Sequence, residues 1–169
     1  MIAAKTMTNH IMLRAITPSD WPDILAIQQQ CYAELINESQ AVLQCKQQLA
    51  ANCCFVLLQT TKVQGYCFAH PWQLGQPPKL NQLITLPTQQ NSLYIHDMAV
   101  AKHAQGLGLA SEALYHLRDL ALQQQLSSLS LVAVNDAASY WQRFGFRRYP
   151  LANALSYYGD SAEYMVMPL

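Results

Sequence analysis

The hydrophobic and polar positions of the chain follow two periods, one typical of strands and one typical of helices. Apolar residues that alternate with polar ones, or run continuously, predict strands at 12–17, 53–60, 63–72, 93–101, 128–134, 146–150 and 164–167. Apolar residues spaced three or four apart predict helices that begin after Thr17 and near Ser39, and further helices over 106–125 and 136–144. This alternation predicts an α/β fold with one mixed central sheet of about six to seven strands and helices on both faces.

The segments between these elements indicate a single domain. Residues 73–92 contain three prolines and many amides, which predicts a long irregular loop, and long loops in compact domains are often functional. Gly145 follows the short helix as a C-terminal capping glycine. Because the chain shows no internal repeat and no interdomain linker, we expect one domain over residues 1–169.

Composition and charge narrow the function classes. Hydrophobic residues make up 51% of the 169 residues and charged residues 12%, which permits a sizeable core and argues against intrinsic disorder. Ten basic and ten acidic residues leave no net charge, so we expect neither a nucleic-acid partner nor a membrane-surface partner. The longest apolar run covers only residues 53–58, and the N-terminus lacks the apolar stretch of a signal peptide.

The cysteines and histidines favour a reducing compartment and give no metal signature. Five cysteines, at positions 31, 45, 53, 54 and 67, form no Cys-x-x-Cys pair and mostly lie in apolar segments. Such a set is typical of free buried thiols in the cytoplasm rather than of a disulfide framework. The histidines show no spacing with Cys or Asp that suits a closed metal site, so we expect no metal.

A glycine pair marks the segment that carries chemistry. The strand at 93–101 leads into Gly106-Leu107-Gly108, and a long helix follows at once. Glycines let backbone N–H groups approach an anion closely, and the helix N-terminus adds partial positive charge, which together form a phosphate cradle. A tight strand-to-helix turn explains the same glycines equally well. Leu109-Ala110-Ser111 excludes a Walker-type loop, and Asn135-Asp136 after the next strand disfavours a dinucleotide fingerprint.

Two motifs at a fixed spacing point to a family. The first is HAQGLG, residues 103–108, and the second is AASYWQRFGF, residues 137–146, which follows a strand and Asn135. From Leu93 to Tyr149 the chain resembles the GCN5-related N-acetyltransferases, whose fingerprint is Gln/Arg-x-x-Gly-x-Gly/Ala and whose later helix ends in Tyr-x-Lys/Arg-x-Gly-Phe. His103 and Trp141 depart from these patterns at the first position of each.

The resemblance implies a binding site for acetyl-CoA, as co-substrate, between splayed fourth and fifth strands. The backbone of Met98 and Val100 would pair with the pantetheine amides as an added strand would. Asn135 would hold the pantetheine arm where the strands part. The remaining residues of the implied cofactor site are Ala99, His103, Gln105, Gly106, Leu107, Gly108, Ala110, Ser111 and Trp141.

The candidate catalytic residues lie mainly on the fourth strand. Strand periodicity places Tyr94, His96 and Met98 on one face and Ile95, Asp97 and Ala99 on the other, unless a β-bulge turns Asp97 inward. In serotonin-acetylating members of the family, imidazoles lie two and four residues before the Met98 position, which implies His96 as general base with Tyr94 at the farther position. A packed structural histidine explains His96 nearly as well, and Asp97 could serve as a second acid–base group or orient it.

Tyr140 is the implied general acid, one residue before the family's tyrosine position. Tyr157, Tyr158 and Tyr164 are weaker substitutes that we expect to pack. His70 ends a predicted strand beside the long loop, where it is either a wall of the acceptor pocket or an ordinary strand end.

The resemblance implies an enzyme that transfers acetyl from acetyl-CoA to a primary amine by direct attack within a ternary complex. The amine would belong to a small molecule or a peptide. The main alternative is a CoA-binding sensor or partner module that has lost catalysis, which the departure at Trp141 favours. A third is acylation of a protein N-terminus or lysine, which needs an open groove. A homodimer is left open.

Overall fold

The structure of the protein, a computed structural model, describes residues 10–169. The predicted absence of a signal peptide, and the start of the predicted domain, concern residues that lie outside this range. The strands are β1 Ile11–Ala15, β2 Cys54–Gln59, β3 Lys62–Trp72, β4 Ser92–Val100, β5 Ser128–Ala133, β6 Arg147–Arg148 and β7 Glu163–Pro168. The helices are α1 Trp21–Cys31, α2 Gln40–Leu49, α3 Leu109–Gln123 and α4 Ala138–Gln142, joined in places by single 3₁₀ turns.

The strands form one seven-stranded sheet in the order β1-β2-β3-β4-β5-β7-β6. Neighbouring strands are antiparallel except β4 and β5, which are parallel. The parallel pair requires a crossover, and α3 supplies it by packing against both of these strands. The predicted α/β fold with one mixed sheet is therefore confirmed.

Strands β4 and β5 part half-way along their length. Their pairing begins at Leu93 opposite Leu129 and ends at Ile95 opposite Leu131. Strand β4 then continues to Val100 beside β3 alone. The edge of β4 beyond Ile95 consequently faces an opening in the sheet.

A β-bulge in β4 changes the predicted faces of this strand. Phe68 of β3 pairs with Asp97, whereas the next residue, Ala69, pairs with Ile95, so His96 has no partner on β3. An extra residue in one strand resets the alternation of side chains beyond it. Asp97 therefore lies on the same face as Tyr94, which is the bulged alternative, and Met98 turns to the other face, so the strict alternation of Tyr94, His96 and Met98 on one face is wrong.

Residues with positive φ shorten two predicted helices. Helix α3 begins at Leu109 rather than at 106 because Gly106 and Gly108 have φ angles of 79° and 90°. Helix α4 begins at Ala138 because Asn135 and Asp136 have φ angles of 53° and 59°. A left-handed residue cannot belong to a right-handed helix, so each stretch becomes a turn before the helix.

Helices α1 and α2 pack on β3, and α1 also contacts β4. Helix α2 begins next to Ser39, as predicted, and Ser39 caps it because its hydroxyl accepts a hydrogen bond from the N–H of Val42. The connection before α2 places Glu38 beneath the sheet beside the bulge. Within residues 10–169, no helix is long and apolar enough to cross a bilayer.

Candidate active site

A cavity of about 650 Å³ occupies the opening between β4 and β5. One end is bounded by the α1–α2 connection and the long loop, through Tyr32, Ile36, Glu38 and Leu80. The other end is bounded by the turn before α3 and by α4. The cavity therefore joins the glycine turn to the bulge in β4, and a long ligand can reach from one to the other.

The glycine turn lines this cavity and contains backbone N–H groups that α3 does not use. The first hydrogen bond of α3 runs from the N–H of Glu112 to the carbonyl of Gly108, so the helix does not use the preceding N–H groups. A Cβ at Gly106 would meet no atom within 4 Å, and one at Gly108 only Ile11, 3.8 Å away. Backbone conformation, rather than crowding within the protein, thus requires glycine at these positions.

Most residues of the predicted cofactor site lie at the cavity. The wall includes Met98, Ala99, Val100, Gln105, Gly106, Gly108, Ala110, Ser111, Asn135 and Trp141. His103 and Leu107 are exposed and do not line the wall.

The exposed edge of β4 has its backbone groups turned toward the cavity. The carbonyl of Met98 accepts a hydrogen bond from the Tyr32 hydroxyl at 2.9 Å, and that of Val100 accepts from the Cys31 thiol at 3.3 Å. In a strand, the N–H and C=O of one residue point to the same side. The N–H groups of Met98 and Val100 therefore also point away from β3, toward the opening.

The bulge brings His96 and Asp97 to the same wall of the cavity. Tyr94 lies one layer below: it is fully buried, does not line the wall, and contacts the His96 ring with centroids 5.7 Å apart. His96 Nδ1 and Asp97 Oδ1 are buried and have no hydrogen-bond partner among the described residues. Since buried polar atoms are nearly always hydrogen-bonded, these two acceptors are candidates for binding a ligand or water.

His96 is held by a carboxylate that the sequence did not single out. Its Nε2 lies 2.5 Å from Oε1 of Glu38, and the other oxygen of Glu38 lies 3.1 Å from Nζ of Lys46. All three side chains are buried, with at most 2% exposed. The backbone N–H of Asn81, in the long loop, donates to Glu38 at 2.7 Å. The loop therefore helps to fix this network.

The surroundings of His96 and Asp97 shift their pKa values in the directions that favour the neutral forms of both side chains. Burial lowers the pKa of His96, although Glu38 opposes the shift. Burial raises the pKa of Asp97 to about 7, with Glu38 adding to the shift and a hydrogen bond from the Tyr66 hydroxyl opposing it. Burial also opposes ionisation of Glu38, but His96, Lys46 and the Asn81 N–H outweigh it and lower its pKa to about 2. Glu38 is thus ionised at neutral pH.

The tyrosines divide between the two ends of the cavity. Tyr140 lines the α4 end, with its ring against Trp141 and Phe144 and the Arg143 guanidinium 5.1 Å from its centroid. Burial raises the pKa of Tyr140, so its hydroxyl stays protonated at neutral pH. Tyr158 lines the cavity as well. Its hydroxyl contacts the hydroxyl of Tyr94 and donates a hydrogen bond to the carbonyl of Pro78.

The sequence matches the model of the acetyltransferase (GNAT) family over residues 21–146, well over half of the chain. The chain belongs to the GNAT acetyltransferase family. This confirms the family resemblance inferred from the two motifs. A search of curated proteins returned no significant match.

Solved structures share the GNAT fold along most of the chain. Ard1 from Thermoplasma volcanium superposes with a TM-score of 0.74 at 18% identity, covering 94% of this chain and 97% of that one. The ribosomal-protein-S18-alanine N-acetyltransferase from Escherichia coli gives 0.60 at 17% identity, covering 94% of each chain. The N-acetylglutamate synthase from Neisseria gonorrhoeae, complexed with coenzyme A and N-acetyl-glutamate, gives 0.71 at 16% identity, covering 95% of this chain and 35% of that one.

Three residues in or behind the wall of this GNAT cavity, Glu38, Lys46 and Tyr158, were missed or undervalued from sequence. Glu38 and Lys46 are separated from His96 by more than forty residues, and no spacing rule joins them. Tyr158 was expected only to pack. One signal was available: with 12% charged residues, a Glu beside a helix cap and a Lys on the apolar face of α2 are rare enough to flag.

Proposed function

We propose that the protein is an acetyl-CoA-dependent N-acetyltransferase that acts on a primary amine by direct attack within a ternary complex. One observation carries the proposal: a single cavity joins the glycine turn before α3 to two buried polar atoms that have no hydrogen-bond partner among the described residues, His96 Nδ1 and Asp97 Oδ1. A CoA thioester needs a turn that can bind its pyrophosphate, and an amine nucleophile needs polar atoms that can accept its hydrogen bonds.

CoA would lie along the open edge of β4. The N–H groups before α3 would bind the pyrophosphate, since a helix N-terminus favours anions. The pantetheine arm would pair with the backbone of Met98 and Val100 in the manner of an added strand. Asn135, at the end of β5, lies on the cavity wall within reach of that arm.

The acceptor would enter at the end bounded by Tyr32, Ile36 and Leu80. A primary amine carries enough N–H donors to satisfy both His96 Nδ1 and Asp97 Oδ1, directly or through one water molecule. His96 would take the proton that the amine loses on attack, and the N–H of Met98 would stabilise the oxyanion, a contribution of about 3 kcal/mol.

Departure of CoA completes the reaction. The tetrahedral intermediate collapses, the C–S bond breaks, and the thiolate takes a proton. Tyr140 is the proposed donor because it lines the α4 end of the cavity with its hydroxyl protonated. No metal participates in this scheme.

A screen for thiol release tests the proposal. The protein would be incubated with acetyl-CoA and panels of simple amines, amino acids and short peptides, and free CoA would be followed with a thiol reagent. We expect turnover with at least one primary amine and none with its N,N-dimethyl analogue. Binding of CoA without turnover on any panel would contradict the enzyme and favour the CoA-binding sensor instead.

A further inference from the structure

The Glu38 carboxylate and the His96 imidazole form a buried, hydrogen-bonded pair in which the two groups have different roles. Their contact of 2.5 Å, between Oε1 and Nε2, is the shortest that His96 makes, and both side chains are almost completely inaccessible. A charge-assisted hydrogen bond in such surroundings is stronger than an ordinary one.

Glu38 is fixed from several directions at once. Gln28 of α1 brackets its backbone, with the amide oxygen accepting from the Glu38 N–H at 2.9 Å and the amide nitrogen donating to its carbonyl at 3.0 Å. Lys46 and the N–H of Asn81 hold the carboxylate itself. The carboxylate therefore cannot turn away from His96 without leaving the buried Lys46 side chain without its partner, which is strongly destabilising.

The proton inventory follows from these contacts. Lys46 has three N–H donors and no acceptor, so a charged Lys46 requires an ionised Glu38. An ionised carboxylate only accepts, so the hydrogen between Glu38 and His96 belongs to Nε2 of the imidazole. The neutral ring then carries its lone pair on Nδ1, the atom without a partner among the residues described.

We propose that Glu38 is the positioning residue of His96: it holds the imidazole in the Nε2–H tautomer so that Nδ1 is the atom that accepts the proton. Lys46 keeps Glu38 ionised. This inference rests on the proposed function for its catalytic meaning, but the tautomer itself does not depend on any activity. When Nδ1 gains the proton, the imidazolium faces the Glu38 carboxylate, which offsets the cost of a buried positive charge.

Several groups besides Glu38 face the His96 ring and set the pH at which it titrates. Lys46 lies behind Glu38, the His70 ring of β3 lies 5.7 Å away, and Tyr94 lies at the same distance on β4. Asp97 follows His96 directly on the same face. Lys46 and burial disfavour the imidazolium, so removal of the Glu38 charge lowers the pKa of His96 further.

Nitrogen-15 NMR of the imidazole resonances tests the tautomer in the ligand-free protein. We expect His96, assigned by comparison with His96→Gln, to show a protonated Nε2 and a bare Nδ1 at pH 7. A ring protonated at Nδ1, at both nitrogens, or exchanging between tautomers would overturn the proposal. This result is independent of whether any amine is acetylated, so it fails or stands apart from the proposed function.

Kinetics of a charge-neutral double variant test the positioning role. Glu38→Gln alone would leave the buried Lys46 without its carboxylate partner and would destabilise the protein. Combining Glu38→Gln with Lys46→Met removes the carboxylate without leaving a buried lysine unpaired. We expect kcat to fall about 10²-fold, with the KM for acetyl-CoA within about twofold of wild type. The acidic limb of the kcat/KM profile should also move to lower pH. Asp20→Asn removes the charge from a part-buried ion pair with Arg14 that does not line the cavity, so it should lower stability without moving the profile. An unmoved limb in the double variant would contradict the proposal.

Discussion

Phe68 and Asp97 face each other across β3 and β4, although strict alternation from Tyr94 would have turned Asp97 to the opposite side. The extra residue that makes this pairing possible is His96. The bulge thus places two ionisable side chains in succession on one wall of the cavity. Both are buried, and each keeps one unpaired acceptor atom among the described residues.

Asp97→Asn should stabilise the protein while lowering its activity. The folded pKa of about 7 lies above the unfolded value of 3.8, so the stability that the neutral form contributes is lost as the pH rises through 7. An amide keeps the acceptor for Tyr66 without this cost. We expect a gain of about 4 kcal/mol at pH 8 and about 2 kcal/mol at pH 5, measured by urea unfolding.

The exposed carboxylate of Asp119 on α3 supplies the control for that experiment. Asp119→Asn should change stability by less than about 0.5 kcal/mol at either pH. Equal gains in stability from Asp97→Asn at pH 5 and pH 8 would contradict this prediction, because they would show that ionisation of Asp97 does not destabilise the folded protein.

The sequence predicted the strands, the glycine turn and the placement of His96 on the fourth strand because each depends on local pattern. Periodicity marked all seven strands, and Gly106 and Gly108 marked the turn before α3. The bulge could be stated only as an alternative, since it depends on register against β3 and His96 looks like any alternating residue. The Glu38–Lys46 pair was equally out of reach, because its partners meet only through the packing of α2 on the sheet.

Gly108→Val should abolish CoA binding while leaving the fold largely intact. Residue 108 has a φ of 90°, which a β-branched residue adopts only with strain, and the added side chain would occupy the approach to the backbone donors. Gly159→Val is a matched control, since Gly159 has a φ of 97°, has no atom within 4 Å of its Cβ position, and does not line the cavity. Calorimetric titration with CoA should show wild-type affinity for the control and no measurable binding for Gly108→Val. Comparable affinities for the two variants would mean that the turn does not bind the cofactor.

His70→Phe should reduce the sensitivity of the fold to acid. Burial lowers the pKa of His70 to about 3, and neither ring nitrogen has a partner within the described range. Its stability contribution is complete above pH 6.5 and is lost as the pH falls toward 3. Relative to wild type, the variant should retain about 2 kcal/mol more of its stability between pH 7 and pH 5. His103→Phe, at an exposed histidine, should leave the pH dependence unchanged; a wild-type pH dependence in His70→Phe would refute the assignment.

Tyr140→Phe should slow turnover at all pH values. Tyr140 is the proposed donor of the proton that the departing thiolate takes, and this step does not depend on whether the amine is protonated. We expect kcat to fall about tenfold to a hundredfold, without recovery at high pH. Tyr157→Phe, at a tyrosine that is 56% exposed and absent from the cavity wall, should retain wild-type kcat. Undiminished turnover in Tyr140→Phe would assign the acid to another group.

The pH dependence of kcat/KM in His96→Ala tests the central claim most directly, using the amine identified by thiol release. A base matters most where the amine is protonated, so its loss should be felt near neutrality and less in alkali. The account predicts a fall of about 10²-fold near pH 7, partial recovery near pH 9, and an unchanged dissociation constant for CoA. Wild-type kcat/KM in His96→Ala across the whole pH range would contradict it.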